Sequence, residues 1–339
     1  MKEDTLEIAP AQRKQQTSAL LIANPTSGSY QQHAQQIKGT VTYLQQQGWQ
    51  VELRLTQKAG DASNIAREAV QNGIDVVVAT GGDGTINEVI QELAGSETAL
   101  GVLPSGTVNV WAREVGIPLD NASARSVLLN GQTRRVDLGK VNGHYFLLMA
   151  GIGVDGEVTY AVEKRPVKKL GVVGYLLAAA WYGLGYPEFR TKLKIDARSP
   201  IKTTALQIVI GNTQLYGGTI KCTWQAKCDD GHLDICIMHK QSMLGRIVVA
   251  IDFLLRRKER KQHVRYETCQ TLKVYTRRPI AIQADGDPRG YTSGRKQPTI
   301  INIAPKALKV IVPLHLPGDL FTSEPDRNTA DAKGTAFLE

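Results

Sequence analysis

Three glycines around one acid, Gly81-Gly82-Asp83-Gly84, end the apolar run Asp75–Thr80 and precede a helical stripe of Ile86, Val89, Ile90 and Leu93. A strand entering such a corner lets the backbone approach a ligand closely, because glycine carries no Cβ. The first turn of the following helix adds unpaired N–H groups and a positive dipole end, so the corner suits an anion. An acid beside a phosphate is useful if it holds a metal ion or takes a proton from an attacking hydroxyl. The chemistry indicated is phosphoryl transfer. Taken alone, the turn is also an ordinary feature of α/β proteins, so the flanking pattern carries the reading. No Gly-Lys-Ser/Thr follows, and a nucleotide would be held without the P-loop lysine.

Two further loops are expected at the same sheet edge. Asn24-Pro25-Thr26-Ser27-Gly28 follows a strand at Ser18–Asn24, and Leu103-Pro104-Ser105-Gly106-Thr107-Val108-Asn109 follows one at Ala99–Leu103. Each offers hydroxyls, amides and small residues, and ligands of parallel α/β sheets bind at the carboxyl ends of the strands. Two acidic turns come later, Cys228-Asp229-Asp230-Gly231-His232-Leu233-Asp234 and Asp285-Gly286-Asp287. Such turns bind divalent metals or simply reverse the chain, and the residues allow both. Residues 151–156, Gly-Ile-Gly-Val-Asp-Gly, fit G-x-G-x-x-G, but no acid stands about 20 positions on and their strand belongs to a hairpin. These glycines are expected to mark where a second domain meets the cleft. The six histidines lack H-E-x-x-H spacing and no G-x-S-x-G elbow is present, which disfavours a zinc site and a serine hydrolase.

The elements that must position these loops alternate. Strands are expected at Ser18–Asn24, Gln50–Thr56, Asp75–Thr80 and Ala99–Leu103. Helices are expected at Tyr30–Gln47, at Asp61–Gln71 with Asp61 as its cap, through Ile86, and from about Thr107 to Val115. That rhythm argues for a parallel sheet covered on both faces. From about Arg134 strands follow one another: Phe189–Asp196, Thr203–Gly211, Leu233–His239, Gln270–Thr276, Ile280–Ala284, Thr299–Ile303 and Lys309–Pro313. Helices interrupt around Leu170–Tyr182 and Met243–Arg260. The expected fold is α/β plus β: an α/β domain over 18–135 and a mainly antiparallel β domain over 136–315, whose last strand returns to the first domain. Residues 1–17 and 316–339 read as disordered tails.

A chain of 339 residues suits two domains. Its formal net charge of +9 favours an anionic partner, a nucleotide or an acidic lipid surface, although a merely soluble basic surface has the same balance. The four cysteines lack Cys-x-x-Cys spacing and read as reduced residues of a cytoplasmic protein. The most apolar run, Leu170–Gly185, falls short of the about 20 residues of a membrane span. Two segments suit a membrane surface instead. One is the stripe Leu244, Ile247, Val248, Ile251, Leu254 and Leu255 before Arg256-Arg257-Lys258-Glu259-Arg260-Lys261; the other is the 170–185 run with its flanking cations, including Arg190, Lys192 and Lys194. The simpler reading of the stripe is a core-facing helix with a solvated end.

The ordered set Asn-Pro-x-Ser-Gly (24–28), Gly-Gly-Asp-Gly-Thr-Ile-Asn-Glu-Val (81–89), Leu-Pro-x-Gly-Thr-x-Asn (103–109), Gly-Ile-Gly-Val-Asp (151–155), Tyr-Gly-Gly (216–218), Asp-Asp-Gly-x-Leu-Asp (229–234) and Asp-Gly-Asp-Pro (285–288) resembles the bacterial diacylglycerol kinase-like lipid kinases, relatives of sphingosine and ceramide kinases. The resemblance covers about residues 18–315. It implies an ATP- and Mg²⁺-dependent kinase with an α/β nucleotide domain of the NAD kinase/diacylglycerol kinase type, a β-sandwich domain, and a lipid entering between them. Nucleotide contacts are implied for Asn24, Pro25, Ser27, Gly28, Thr56, Gly81, Gly82, Asp83, Gly84, Thr85, Asn87, Glu88, Ser105, Gly106, Thr107 and Asn109. A structural metal loop is implied at Asp230 with the main-chain oxygens of Lys227 and His232. Catalytic roles are implied for Asp83, Asp285 and Asp287, with the proton acceptor open among them. The implied partner is a lipid at a cytoplasmic membrane surface, reached peripherally; a homodimer is allowed and nucleic acid is not expected.

Two departures matter. Val110 stands where the family usually has Asp, and Asp287 stands where it usually has Glu, one methylene longer. Two other readings compete: a soluble-substrate kinase of the NAD kinase type, which shares the Gly-Gly-Asp-Gly-Thr corner, and a catalytically inactive lipid-binding regulator, which the two departures would suit.

Overall fold

A strand buried on both faces must be apolar throughout, and the first domain of the computed structural model is built on such strands. The structure describes residues 16–25, 30–163, 185–239 and 264–322, with Ser242, Leu244, Gly245, Val248 and Asp252. Ser27, Gly28, the expected helix at 170–182, most of that at 243–260, and residues 1–15 and 323–339 lie outside that set.

The chain opens with β1 (Ser18–Ala23), α1 (Tyr30–Gln46), β2 (Gln50–Leu55), α2 (Asp61–Gln71), β3 (Val76–Gly81), α3 (Asp83–Leu93) and β4 (Ala99–Pro104). The four strands stand parallel in the order β2-β1-β3-β4. Ala23 lies opposite both Leu55 and Thr80, and Gly81 lies opposite Pro104. In-register parallel pairing therefore delivers all four carboxyl ends to one edge. Helix α2 buries Ala62, Ile65, Ala66 and Ala69, and α3 buries Ile86, Val89, Ile90 and Leu93, each a stripe of helical period. Asp61 is not the cap of α2. Gly60 takes that place in the left-handed region, and the Asp61 carboxylate turns back to accept the N–H groups of Gln57 and Lys58.

Next come α4 (Val110–Val115), α5 (Asn121–Asn130), β5 (Gln132–Val141), β6 (His144–Phe146), β7 (Met149–Gly153) and α6 (Val154–Glu163). Helix α4 starts three residues later than expected, because residues 104–109 form the loop described below. Helices α5 and α6 were not foreseen. Helix α6 follows β7 directly, as in a dinucleotide fold, but β7 is antiparallel to both of its neighbours, so no βαβ crossover exists. The remainder is strand: β8 (Phe189–Ile195), β9 (Ile201–Gly211), β10 (Leu215–Tyr216), β11 (Ile220–Lys221), β12 (Leu233–His239), β13 (Val264–Cys269), β14 (Thr271–Thr276), β15 (Ala281–Ala284), β16 (Asp287–Tyr291) and β17 (Thr299–Val312). The observed fold is α/β with an antiparallel β-sandwich.

The two expected strands at the end of the chain are one 14-residue strand with an irregularity between Ala304 and Leu308. Its first part pairs with β14, Lys309 and Val310 pair in parallel with β4, and β5 accompanies both parts. Lys306 sits in the irregularity at φ 49°, and its N–H donates to Asp137 Oδ1 at 2.6 Å. Asp137 Oδ2 accepts from Gly231 N–H at 2.6 Å, so one buried carboxylate ties β5 to the irregularity and to the acidic turn at 229–234. The segment expected as the start of a tail packs instead as far as Thr322. Leu320 is buried and its carbonyl accepts from Cys228 N–H, while Asp229 accepts from Thr322. Replacing Asp137 by alanine strands two backbone donors and is expected to destabilise the protein by about 2–4 kcal/mol. An unchanged urea midpoint would contradict that role.

Candidate functional site

The described residues of the three predicted loops lie at the carboxyl edge of the parallel sheet. Asn24 and Pro25, half-buried, follow β1, and Thr56, buried at the end of β2, donates its N–H to Ala23 O. Gly81 closes β3 and its carbonyl accepts from Ser105 N–H at 3.0 Å. The glycine corner and the 104–109 loop touch there. A Cβ on Gly106 would fall 2.5 Å from Gly82 Cα, so these two positions must both be small. A Cβ on Gly81 would run into the Thr85 side chain. Asn109 holds its own loop, accepting from Gly106 N–H at 3.1 Å and donating to Gly106 O at 2.7 Å, with its backbone left-handed at φ 50°. Beside the corner Thr80 Oγ1 is buried without a hydrogen-bond partner among the described residues. Gly84 and Thr107 are exposed at the rim.

Asp83, in the first turn of α3, accepts Val110 N–H at Oδ1 (2.8 Å) and so caps α4. Burial pushes its carboxyl above the usual range, against the pull of the N–H groups of Val110, Trp111 and Asn109. Asn87, one turn further on, donates to Asp287 Oδ2 at 2.7 Å, which brings the second domain onto α3. Glu88 points elsewhere: it accepts Ala62 N–H at 3.1 Å at the start of α2.

The turn between β15 and β16 carries Asp285 and Gly286, both at positive φ, 48° and 82°. This is the type I′ geometry of a two-residue hairpin, here opened by an Asp-Gly pair. Asp285 accepts three successive backbone donors: Leu147 N–H at 2.7 Å, Leu148 N–H at 3.0 Å and Met149 N–H at 2.9 Å. Burial, with a contribution from the charge of Asp83, pushes the carboxyl up to about 7 against those donors. Asp287, two residues on, keeps a side chain 42% exposed and pairs with Arg289 at 3.0 Å. The three expected catalytic acids thus converge where α3 meets the β15–β16 turn.

The expected metal loop is less open. Asp230 Oδ1 accepts His232 N–H at 2.9 Å and the Asp230 carbonyl contacts His232 Nδ1 at 3.0 Å. Among the described residues no group of three or more His, Cys, Asp or Glu side chains could hold a metal, so a metal here would depend on carbonyl oxygens such as those of Lys227 and His232.

Several positioning residues escaped the sequence reading. Gln91 bridges Tyr145 through both its donor and its acceptor, pinning β6 to α3. Glu114 accepts Leu215 N–H across the two domains. Asp155 is buried and receives Tyr216 Oη and Gln283 Nε2, while Gln283 Oε1 accepts Gly286 N–H at 2.9 Å in the turn that carries Asp285. The motifs at 151–155 and 216–218 pointed to Asp155 and Tyr216 without a role; nothing in the spacing singles out Gln91, Glu114 or Gln283.

A parallel sheet with a glycine corner at its carboxyl edge, faced by an antiparallel sandwich that brings acids to that corner, has the parts that phosphoryl transfer needs. Two family models match the chain in series: the diacylglycerol kinase catalytic domain over residues 18–141 and the YegS C-terminal NAD kinase beta sandwich-like domain over 149–312. The chain therefore belongs to the diacylglycerol kinase-like lipid kinases. It is 32% identical over 283 residues to the diacylglycerol kinase of Bacillus subtilis (strain 168), covering 81% of this chain and 91% of that protein. It is 31% identical over 287 residues to the diacylglycerol kinase of Staphylococcus saprophyticus, with coverage of 81% and 90%. Its fold matches a crystal structure of a diacylglycerol kinase from Bacillus anthracis str. Sterne with a TM-score of 0.67 at 21% identity, over 88% of this chain and 98% of that one. A second crystal structure from that organism gives 0.75 at 22% identity, over 90% and 98%.

Because Gly82 and Gly106 are in contact, Gly106→Ala has to separate the two loops. Calorimetric affinity for ATP is expected to fall at least tenfold, from a misplacement of the order of 1 Å, and unchanged affinity would detach this contact from nucleotide binding.

Proposed function

We propose that the protein transfers the γ-phosphoryl group of Mg-ATP to the hydroxyl of a membrane lipid, diacylglycerol or a close relative. The observation that carries this reading is the meeting of Asp83, Asp285 and Asp287 at the glycine corner, on a chain of lipid-kinase family. The corner fits a nucleotide: Gly82 and Gly106 leave backbone rather than side chains at the surface, and beside it lies a Thr80 hydroxyl with no partner among the described residues. Residues Asn24, Pro25, Ser27, Gly28, Thr56, Gly81 to Thr85, Asn87 and Ser105 to Asn109 would surround the nucleotide, with Asp83 toward Mg²⁺. Bound Mg²⁺ supplies charge neutralisation at the transferring phosphoryl group.

The acids divide their roles by accessibility. Asp285 has both carboxyl oxygens committed to the 147–149 N–H groups, so it positions the turn. Asp287 is the more accessible acid of that turn, with Oδ2 held by both Asn87 and Arg289, and its accessibility suits it to accept the proton of the lipid hydroxyl. Val110, in place of the family's acid, still serves the site through its N–H, which holds Asp83. At the 227–232 loop a structural ion would rest on Asp230 and the carbonyls of Lys227 and His232. Among the described residues no helix is long and apolar enough to cross a membrane. Leu244 is 76% exposed and Val248 47% exposed, and apolar side chains in that position suit peripheral attachment to a lipid surface.

The test compares three variants with labelled ATP and a panel of lipids and NAD. Asp287→Asn is expected to lower kcat by about 10²–10⁴ with an unchanged melting temperature. Asp285→Ala is expected to lower both, because three backbone donors lose their acceptor. Asp83→Ala is expected to abolish transfer while reducing stability by only about 1 kcal/mol, the worth of a helix cap. Full activity of Asp287→Asn would remove it as the base, and phosphorylation of NAD without lipid would overturn the substrate assignment.

A further inference from the structure

Strand β8 lies inside the sheet, between β9 and β14, and alternates strictly: Phe189, Thr191, Leu193 and Ile195 are buried, while Arg190, Lys192 and Lys194 are exposed. The register sets lysine against lysine on both sides. Lys192 stands opposite Lys202 of β9, and Lys194 opposite Lys273 of β14. Like charges directly opposite one another destabilise a sheet. Protection of an edge does not account for them, since β8 has no free edge.

Asp196 and Glu267 are paired with Arg198 and Arg265, and among the described residues none of the cations on the face forms an ion pair. A cavity of about 640 Å³ opens there, lined by Arg190, Lys192, Lys202, Tyr275, Arg277 and Arg295 together with threonines 191, 203, 204 and 276. Lys192 Nζ lies 4.4 Å from the Tyr275 ring centroid, and Ile300, opposite Lys273, is 43% exposed.

We propose that this face of β9, β8 and β14 docks the enzyme on anionic phospholipid, its cations against headgroup phosphates. The inference rests on the lipid-kinase reading and adds the surface through which the enzyme reaches its substrate. Three observations favour a bilayer as the occupant. The cations share one sign, and Lys194 and Lys273 extend the row along the sheet face beyond the lining of the cavity. Tyr275 and Ile300 lie among them, and a tyrosine ring and an aliphatic side chain are at home at the headgroup boundary. A membrane carrying anionic lipid attracts each such cation and relieves the repulsion that the register imposes. Arg190, Lys192 and Lys194 thereby act as a strand face rather than as flanks of the preceding apolar run.

The experiment sediments the full-length protein with phosphatidylcholine vesicles made with and without phosphatidylglycerol. Wild type is expected to bind only the anionic vesicles and to be released by salt. Lys192→Gln/Lys202→Gln is expected to weaken that binding by roughly 30-fold, two surface charges' worth. It should also raise the melting temperature, and leave kcat/KM on a soluble short-chain diacylglycerol unchanged. Lys38→Gln/Lys58→Gln, exposed on the first domain, removes the same charge and should do neither. Equal vesicle binding by the two doubles, or tighter binding of a short oligonucleotide than of anionic vesicles, overturns the proposal. Loss of vesicle binding by the first double in a protein that phosphorylates no lipid would uphold the surface while the kinase substrate reading falls.

Discussion

Three consecutive backbone N–H groups, those of Leu147, Leu148 and Met149, converge on one carboxylate, and the placement of the cleft depends on that arrangement. A carboxylate is one of the few groups able to accept several donors at once. Asp285 offers it from a two-residue turn whose left-handed backbone has no freedom to drift. The start of β7 and the β15–β16 turn are thereby locked together, and Asp287 leaves the turn at a fixed angle toward Asn87 on α3. Burial and, to a smaller extent, the charge of Asp83 work against that arrangement by raising the Asp285 carboxyl.

A second network supports the first from behind. Gln283 holds Gly286 N–H with its oxygen and Asp155 with its nitrogen, and Tyr216 approaches the same Asp155 carboxylate. Buried polar chains of this kind cost stability when a member is lost, which makes the turn a single unit rather than a flexible loop. On the first domain the corresponding unit is Asp83 with α4. The acid at the glycine corner also caps the helix after the 104–109 loop, so the corner and the loop move together.

The first domain was legible in the sequence because its signals are local. Apolar runs ending in glycine, a stripe of 3.6-residue period at Ile86 to Leu93, and small residues after β1 and β4 are each read within ten positions. That β1, β3 and β4 end at one edge followed from parallel topology alone. What stayed hidden depends on tertiary pairing. Helix α5 has a weak apolar stripe, with Ala124 and Leu128 its buried residues, and α6 starts within a glycine motif that reads as loop. The commitment of Asp285 to the 147–149 backbone rests on donors 138, 137 and 136 residues away, which no spacing rule reaches. The reach of the last strand was legible in outline, but its continuity required the Asp137 contact to hold the irregularity at Lys306.

That last strand has a consequence for biosynthesis. Residues 309 and 310 form the neighbour of β4 in the first domain's sheet, although they leave the ribosome some 200 residues after it. Until they emerge, the amino-terminal domain lacks one wall, with the backbone of β4 open to any passing strand. The nucleotide domain is therefore expected to mature late in translation, after the sandwich has been made, and chains truncated before Thr299 are candidates for chaperone capture rather than for partial activity.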